Sequence, residues 1–344
     1  MVQKTVLVTG ANGYIGFAVC KAFCLAGWKV FGQMRSGRSA QDFLKEEITP
    51  IVTPTQEIYA SFSATLPSID VVVTCCEDLV DYEAHHRRRL AMIRKVCQAS
   101  FADRGEKPLV IFSSGCKDYG MGLRHQQIGL APHTEESALN PPPLLVPRTA
   151  AARQMFSFSS EFDCIVTRPT TLFGRSSSYY SYIFALAEQA KIKHEGVLTL
   201  PERPDSILHG THIDDCAAAY LNLATSPRKL VAGQAYNISS HRYETLGEIA
   251  LAIEQSHGIQ VKFRDPEPGD AELYGVFILS VFNFPQWVSS DKLRRDTGWT
   301  DNKPLFHEGY ETYRRAYEAA AGQDTEQVQR VMDKAKGMFT HGGS

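Results

Sequence analysis

The segment that decides the fold of this 344-residue chain lies near its start, where residues 4–16 read KTVLVTGANGYIG. A β-branched strand comes first, and a helical pattern then continues to Gly27, a residue suited to end a helix. Gly10 permits a tight turn, Gly13 lets the backbone approach a phosphate, and Gly16 allows close packing of helix on strand. The first helix amides and the helix dipole attract phosphate groups. The segment therefore predicts a phosphate-binding strand–turn–helix unit.

Strand and helix patterns alternate along the residues that follow. This alternation implies a parallel, doubly wound sheet, which is an α/β fold of the Rossmann type. The predicted strands are 28–34, 48–53, 70–74, 109–113 and 164–168, and the predicted helices are 40–47, 80–102, 147–159, 179–193, 214–225 and 244–257. A dinucleotide would lie on the glycine turn, against Gly10, Asn12, Gly13, Tyr14, Ile15 and Gly16.

The predicted organisation has three parts. Residues 1–174 form the dinucleotide-binding Rossmann domain, and residues 175–322 form a smaller mixed substrate-binding lobe with segments that return to the main sheet. Residues 323–344 form a polar tail.

Composition narrows the class of protein. The net charge is −2, which gives no attraction to nucleic acid or to an anionic membrane surface. No apolar run is long enough to span a membrane, and no signal peptide precedes the first strand. The 8 cysteines include no CxxC pair and no metal-ligand spacing, which favours reduced thiols in the cytoplasm and no bound metal. The expected partner is a small-molecule substrate, and the sequence is compatible with a homodimer.

The end of the second strand indicates the choice of cofactor. NAD binders place an acidic residue there, whereas NADP binders place an arginine for the 2′-phosphate. This strand ends in Met34 and Arg35, Arg38 follows, and no acidic residue occurs before Asp42. The pattern favours NADP(H), with NAD(H) as the alternative.

Six segments in order along the chain resemble the extended short-chain dehydrogenase/reductase superfamily, its NAD(P)-dependent epimerase/dehydratase-like group. They are residues 9–16 (TGANGYIG), 113–120 (SSGCKDYG), 168–174 (RPTTLFG), 212–217 (HIDDCA), 236–238 (YNI) and 298–299 (GW). The resemblance implies that Ser114 lies beside the nicotinamide and faces the substrate. It also implies cofactor contacts at Cys75, Ser113, Pro169 and Thr171.

The resemblance fails at the family's reactive Tyr-x-x-x-Lys pair. One register places Leu144 and Arg148 at those positions, and the other places Leu145 and Thr149 there. A leucine cannot transfer a proton. Arg148 could still supply a fixed positive charge to the ribose or to a substrate, because arginine does not deprotonate.

Two further departures concern the ligands. Nucleotide-sugar members carry a phosphate-binding arginine where this chain has Leu208, and an adenine-contacting Gly-Asp-Leu is replaced by residues 53–55, TPT. The lobe offers aromatic side chains that would line an apolar pocket or pack its interior. They are Tyr179, Tyr180, Tyr182, Phe184, Phe277, Phe282, Phe284 and Trp287.

Three hypotheses remain at this level. The first is an NADP(H)-linked oxidoreductase with a displaced proton donor, acting on a small apolar compound of polyketide or terpenoid type. The second is a non-redox isomerase, cyclase or dehydratase, and the third is a non-catalytic NADP(H) sensor. We favour the first, because the glycine turn and Arg35 are retained. The candidate acid–base residues are Ser114, Lys117, Asp118, Tyr119, Tyr179, Tyr180 and His212. For His212, packing against its neighbours is the alternative, and Asp215 is expected to cap a helix.

Overall fold

A computed structural model describes residues 3–53, 66–176, 179–193, 195–270, 279 and 281–322. The predicted tail at 323–344, Phe277, and most of the TPT segment lie outside the described residues. The strands are β1 Thr5–Thr9, β2 Lys29–Met34, β3 Thr49–Val52, β4 Val71–Thr74, β5 Leu109–Ser113, β6 Asp163–Pro169, β7 Thr171–Phe173, β8 Val197–Leu200, β9 Ile207–Leu208, β10 Gly210–His212, β11 Gln234–Ile238, β12 Glu244–Thr245 and β13 Gln260–Phe263. The helices are α1 Tyr14–Leu25, α2 Ala40–Lys45, α3 Tyr82–Arg104, α4 Val146–Gln154, α5 Ser181–Lys193, α6 Ile213–Thr225, α7 Arg228–Val231, α8 Leu246–His257, α9 Asp291–Thr297 and α10 Tyr310–Gly322.

Seven parallel strands form the central sheet, in the order β3-β2-β1-β4-β5-β6-β11. The predicted α/β class and doubly wound parallel sheet are confirmed. Strand β11, from the C-terminal part of the chain, joins the sheet by pairing with β6. The chain reverses its direction of winding between β1 and β4, and ligands of such sheets bind in the crevice outside the strand ends at that point.

Two apolar layers cover the sheet, as expected for parallel strands buried on both faces. Val6 and Val8 of β1 face one layer, which also contains side chains of α1 and α6. Leu7 faces the other layer, beside residues of α3 and α4. The two-residue alternation along β1 thus divides its side chains between two cores.

A third core joins the smaller sheets and the helices α5, α8 and α10. Aromatic rings dominate it, with Phe306 lying 4.5 Å from Tyr180 and 5.7 Å from Phe184, centroid to centroid. Tyr180, Phe184 and Phe282 therefore pack the interior of this part. Phe284 is instead half-buried and lines a cleft described below.

Local signals explain where several of these elements begin and end. Thr245 and Glu248 form a reciprocal capping box at the start of α8, and Gly258 ends that helix in a left-handed conformation. None of the helices in the described part of the chain is long and apolar enough to cross a membrane.

Candidate active site

The glycine turn between β1 and α1 is crowded by backbone. A Cβ at Gly10, which has φ of +65°, would lie 2.8 Å from the Cα of Cys76. A Cβ at Gly16 would lie 2.3 Å from the carbonyl oxygen of Gly10. Gly13 precedes the helix with no side-chain cap, which leaves the first amides of α1 directed at the turn. The turn therefore has the form of an anion-binding site.

The side chains of the turn are engaged inside the protein. The Tyr14 hydroxyl donates to the carbonyl oxygen of Gly174 at 2.5 Å, which ties the turn to the end of β7. Burial raises the pKa of Tyr14 well above its ordinary value. Asn12 is buried, and Ile15, in the first turn of α1, packs against the core. These predicted cofactor residues can meet a ligand through their backbone amides.

Two exposed arginines follow β2. Arg35 and Arg38 have no hydrogen-bond or ion-pair partner for their guanidinium groups among the described residues, although the backbone amide of Arg38 donates to Ser36 Oγ. Asp42, the next acidic residue along the chain, pairs with Lys45 at 3.1 Å. The strand end is thus cationic and accessible, as the sequence predicts.

Asp118 is the centre of a buried charge cluster at the end of β5. Its Oδ1 accepts from Arg148 Nη2 at 2.7 Å and from Thr149 Oγ1 at 2.8 Å. Its Oδ2 accepts from Ser114 Oγ at 2.5 Å and lies 3.6 Å from the Nε of Arg168. We call Ser114, Asp118, Arg148, Thr149 and Arg168 the Asp118 cluster. The Ser114 hydroxyl donates to this carboxylate, and its oxygen has lone pairs that can accept from a ligand.

Arg148 is one of the two residues that could stand at the lysine position of the family pattern. Its Nη1 lies 3.5 Å from a carboxylate oxygen of Glu77, which follows β4. Burial on its own would lower the pKa of Arg148, but the charges of Asp118 and Glu77 outweigh this effect and raise it. A Cβ at Gly115 would lie 3.3 Å from Arg148 Nη2, so the arginine passes close to the loop after β5. Arg148 is a fixed positive charge that cannot act as an acid.

Tyr119 turns away from the Asp118 carboxylate. Its hydroxyl donates to Asn237 Oδ1 at 2.8 Å and accepts from Arg168 at 3.1 Å. Its ring stacks on His133 with an interplanar angle of 6°. Burial raises the pKa of Tyr119. These contacts favour a packing role over proton transfer.

Lys117 projects into a cleft on another side of the same loop. Its Nζ lies 3.8 Å from the centroid of the Phe284 ring. Desolvation and the charge of Arg148 lower its pKa to about 7. Polar and apolar side chains surround it, and we call this site the Lys117 cleft. Its lining residues are Lys117, Thr171, Tyr180, Ile207, Leu208, His209, Val281, Phe284 and Gln286.

The remaining candidates lie in different places. His212 precedes α6 and accepts from the amide of Asp214 at 3.1 Å, so it caps that helix. Its ring packs against Phe173 and Tyr313 and touches Gly174, and burial lowers its pKa to about 4. This arrangement favours the packing alternative for His212.

The expectation that Asp215 caps a helix is wrong. Its carboxylate accepts from the amides of Asn302 and Lys303, because those residues approach the first turn of α6 from the C-terminal part of the chain. The capping acceptor is the imidazole of His212, one residue before the helix.

Tyr179 lies near Glu77 and Arg148, whose charges act on its phenol, while burial raises its pKa. The Ser113 hydroxyl lies 2.6 Å from that of Tyr220 on α6. Cys75 donates its amide to Thr9, and Pro169 closes β6. These residues surround the ends of β1, β4, β5 and β6, while Thr171 lines the Lys117 cleft.

The sequence did not indicate Glu77 as a member of the site. Glu77 follows the predicted fourth strand, and a buried arginine in α4 needs such a carboxylate, but the pairing depends on the fold. Thr149, one of the two candidates for the family's lysine position, donates its hydroxyl to Asp118.

Comparisons with known proteins agree on the family. The model of the NAD-dependent epimerase/dehydratase family matches residues 6–239, more than half of the chain. A search of curated proteins gave no match.

Solved structures match over nearly the whole chain at low identity. The dTDP-glucose 4,6-dehydratase of Bacillus anthracis in complex with NAD is 15% identical, with a TM-score of 0.69 over 92% of this chain and 97% of that one. The UDP-glucuronic acid 4-epimerase of Bacillus cereus, also with NAD, is 15% identical, with a TM-score of 0.67 over 92% and 99%. The UDP-glucose 4-epimerase of Thermotoga maritima is 16% identical, with a TM-score of 0.66 over 92% and 99%.

At such identities the solved structures establish the fold alone, whereas the family rests on the sequence match. The resemblance inferred from the motifs is confirmed. The chain belongs to the NAD-dependent epimerase/dehydratase family.

Proposed function

We propose that this protein is an NADP(H)-dependent oxidoreductase that interconverts a carbonyl and an alcohol on a small, largely apolar substrate. The observation that carries the proposal is the accessible pair Arg35 and Arg38 beside the glycine turn, in a chain of a nicotinamide-dinucleotide family. The bound nicotinamide would supply or accept a hydride.

The residues present fit a dinucleotide. The close approaches at Gly10 and Gly16 leave no room for side chains, and the first amides of α1 face the turn to receive the pyrophosphate. Arg35 and Arg38 would hold the 2′-phosphate, since guanidinium groups recognise phosphate by paired hydrogen bonds. Arg148 would present its positive charge at the ends of β4 and β5, where the family resemblance expects the nicotinamide ribose.

The side chain at position 208 supports an apolar substrate. Leu208 is buried at the position where the resemblance expects a phosphate-binding arginine. The solved enzymes cited above act on nucleotide sugars by name, whereas a leucine offers no charge to a diphosphate.

Fluorescence titration with NADPH and NADH tests the cofactor preference. We expect NADPH to bind more tightly, and Arg35→Ser to weaken NADPH binding about tenfold or more while leaving NADH unchanged. Arg88→Ser, which removes another exposed arginine from α3, is the matched control and should change neither affinity. Equal affinities for the two cofactors, unaltered by Arg35→Ser, would refute the NADP(H) assignment.

A non-redox reaction is the second candidate, and a specific observation favours it. Neither Leu144 nor Leu145 can transfer a proton, and the Ser114 hydroxyl donates to Asp118. Incubation of the NADPH-loaded protein with a panel of apolar ketones separates the two candidates. A fall in nicotinamide absorbance that matches alcohol formation supports the oxidoreductase, whereas rearranged product at constant absorbance supports the second candidate.

A further inference from the structure

We propose that Cys76 is a modification site that takes up a small thiol compound as a mixed disulfide, and that this adduct and the dinucleotide exclude each other. The reaction partner is the disulfide of a cysteine-containing peptide such as glutathione. The inference goes beyond the proposed function, because it requires the dinucleotide site of the family but neither the preference for NADP(H) nor the oxidoreductase reaction.

Cys76 lies where the dinucleotide is expected to bind. It follows β4, and the sheet reverses its winding between β4 and β1, so ligands are expected in the crevice outside these two strand ends. A Cβ at Gly10 would lie 2.8 Å from the Cα and the Cβ of Cys76, which places this residue against the glycine turn. The Thr9 hydroxyl, at the end of β1, lies 3.3 Å from the Cys76 sulfur. The half-buried thiol is therefore at the crevice.

A buried arginine directed at Cys76 lacks a carboxylate partner. Arg89, on α3, is only 3% exposed and forms no ion pair with a carboxylate of the described residues. Its Nη1 donates to the Cys76 carbonyl oxygen at 2.8 Å and its Nη2 to the Tyr82 hydroxyl, whereas its Nε has no hydrogen-bond partner in the described part of the chain. Burial of a cation without an anion is costly, so this place needs a negative charge. The Cys76 thiolate supplies one.

The imidazole of His85, on the same helix, also contacts Cys76. Its Nε2 lies 3.3 Å from the Cys76 carbonyl oxygen, and the ring hydrogen-bonds to the thiol. Burial on its own would raise the pKa of Cys76, but the hydrogen bond with His85 and the charge of Arg89 outweigh burial and lower the pKa to about 7. A thiol attacks disulfides best when its pKa lies near the ambient pH.

The other cysteines have surroundings that oppose ionisation. Burial raises the pKa of Cys20, Cys75, Cys97, Cys116, Cys164 and Cys216. Cys24 is half-buried like Cys76, but its thiol donates to the Glu46 carbonyl oxygen. Burial and the charges of Glu47 and Glu46 raise its pKa. Cys24 is therefore the matched reference for Cys76.

The exchange step balances with the named reactants. The Cys76 thiolate attacks one sulfur of the peptide disulfide, a new S–S bond forms, and the original S–S bond breaks. The released peptide thiolate takes a proton from water. Cys76 is oxidised and one peptide sulfur is reduced, so no further oxidant is needed. The adduct would fill the crevice beside Gly10, and a reducing thiol would remove it.

Reaction with oxidised glutathione, followed by peptide mapping, tests the site. We expect the mixed disulfide at Cys76, with a rate constant that reaches half its maximum near pH 7. NADPH or NADH, whichever binds more tightly, should slow the reaction about tenfold at about ten times its Kd, because roughly a tenth of the protein is then free. Cys24→Ser should react as the wild type does, and Cys76→Ser should lose the modification. Equal reaction at Cys24 and Cys76, or a rate that the dinucleotide leaves unchanged, would overturn the proposal.

Dinucleotide binding by the modified protein tests the exclusion in the other direction. The Kd of the glutathione adduct should be raised about tenfold or more, and dithiothreitol should restore the original value. Cys76→Ser should bind the dinucleotide equally before and after the same treatment. An adduct at Cys76 that binds with unchanged affinity would overturn the proposal.

Substitutions on α3 test the origin of the reactivity. His85→Leu removes a hydrogen bond to the thiolate, so the midpoint of the reaction should move from about 7 towards about 8.5, the ordinary cysteine value. His85→Gln keeps an N–H donor and should move it less. Arg88→Ser, which removes an exposed arginine from the same helix, is the control and should leave the midpoint unchanged. A wild-type midpoint at or above the ordinary value would overturn the assignment.

This inference and the proposed function fail in different ways. Tighter binding of NADH than of NADPH refutes the proposed cofactor preference and leaves the role of Cys76 standing. Tight NADPH binding that an adduct at Cys76 does not weaken overturns the role of Cys76 and leaves the proposed function standing. Failure of both dinucleotides to bind overturns both.

Discussion

Lys117 and Asp118 are adjacent in one 3-10 turn, yet their side chains enter opposite kinds of surroundings. Asp118 is fully buried among two arginines and two hydroxyl donors, so its charge is compensated on every side that the structure describes. Lys117 lies over the face of Phe284 in a cleft with polar and apolar lining residues, and desolvation and the charge of Arg148 lower its pKa to about 7. Burial of a carboxylate among cations organises structure, whereas desolvation of an ammonium near another cation shifts its proton equilibrium. The two neighbours therefore differ in how burial acts on their charge.

The largest expected effect follows from neutralising Asp118. Asp118→Asn leaves the buried charges of Arg148 and Arg168 without their carboxylate, which should lower the free energy of unfolding by about 3–5 kcal/mol. Urea unfolding followed by circular dichroism measures it. Asp42→Asn, which breaks an exposed pair with Lys45, is the control and should cost less than about 1 kcal/mol. Equal losses in the two variants would contradict the contrast between the cluster and an ordinary surface pair.

Lys117→Met, in contrast to Asp118→Asn, should raise the free energy of unfolding, and the size of this change should depend on pH. The pKa of Lys117 is lowered on folding, so the unfolded chain binds more protons between pH 7 and the ordinary lysine value. Wild-type stability should therefore rise over that window by about 1.4 kcal/mol for each unit that separates the two pKa values. Unfolding of wild type and Lys117→Met at several pH values isolates this contribution. A constant difference between them from pH 7 to pH 10 would show that Lys117 titrates normally.

His212 predicts a smaller effect on the acid side. Its pKa is lowered to about 4, so protonation favours the unfolded chain and stability is lost as pH falls from about 6.5 to 4. His212→Asn keeps a capping acceptor but removes this titration, and should reduce the acid loss by roughly 1–3 kcal/mol. Thermal unfolding at pH 7 and at pH 5 tests it, and unchanged acid sensitivity of the variant would contradict the account.

Ser114→Ala gives the smallest effect and tests whether that serine belongs to the cluster. Loss of its hydrogen bond to Asp118 should cost about 1–2 kcal/mol of stability. Ser157→Ala, which removes an exposed hydroxyl bonded to the Gln154 carbonyl, is the control. A loss of stability in Ser114→Ala no larger than that of the control would contradict its membership of the Asp118 cluster.

The parts of the molecule that sequence predicted are those controlled by local pattern. The glycine turn, the strands of the sheet up to β6 and the helix starts depend on glycine spacing, apolar periodicity and short-range capping. The cationic segment at Arg35 is also evident from local sequence, because it directly follows β2, and its role in the choice of cofactor stays a prediction. The fold class needed no more than these signals.

The parts that sequence could not predict depend on contacts between distant segments. The family resemblance predicts a substrate-facing hydroxyl at Ser114, but in the structure this hydroxyl donates to Asp118. Asp118 also accepts from Arg148 and Thr149, which lie about thirty residues downstream. The sequence offers Lys117 as one of several candidate acid–base residues. Its contact with Phe284, which lies far along the chain, depends on the fold.

The most direct test of this contrast is a titration of Lys117 itself. ¹³C NMR of protein labelled at the lysine ε-carbon, with the Lys117 signal identified by its loss in Lys117→Met, reports that side chain's pKa without any substrate. The account predicts a pKa for Lys117 near 7, with the Lys292 signal titrating as an ordinary lysine. A Lys117 signal that titrates near 10, together with those of exposed lysines, would contradict the contrast between Lys117 and Asp118.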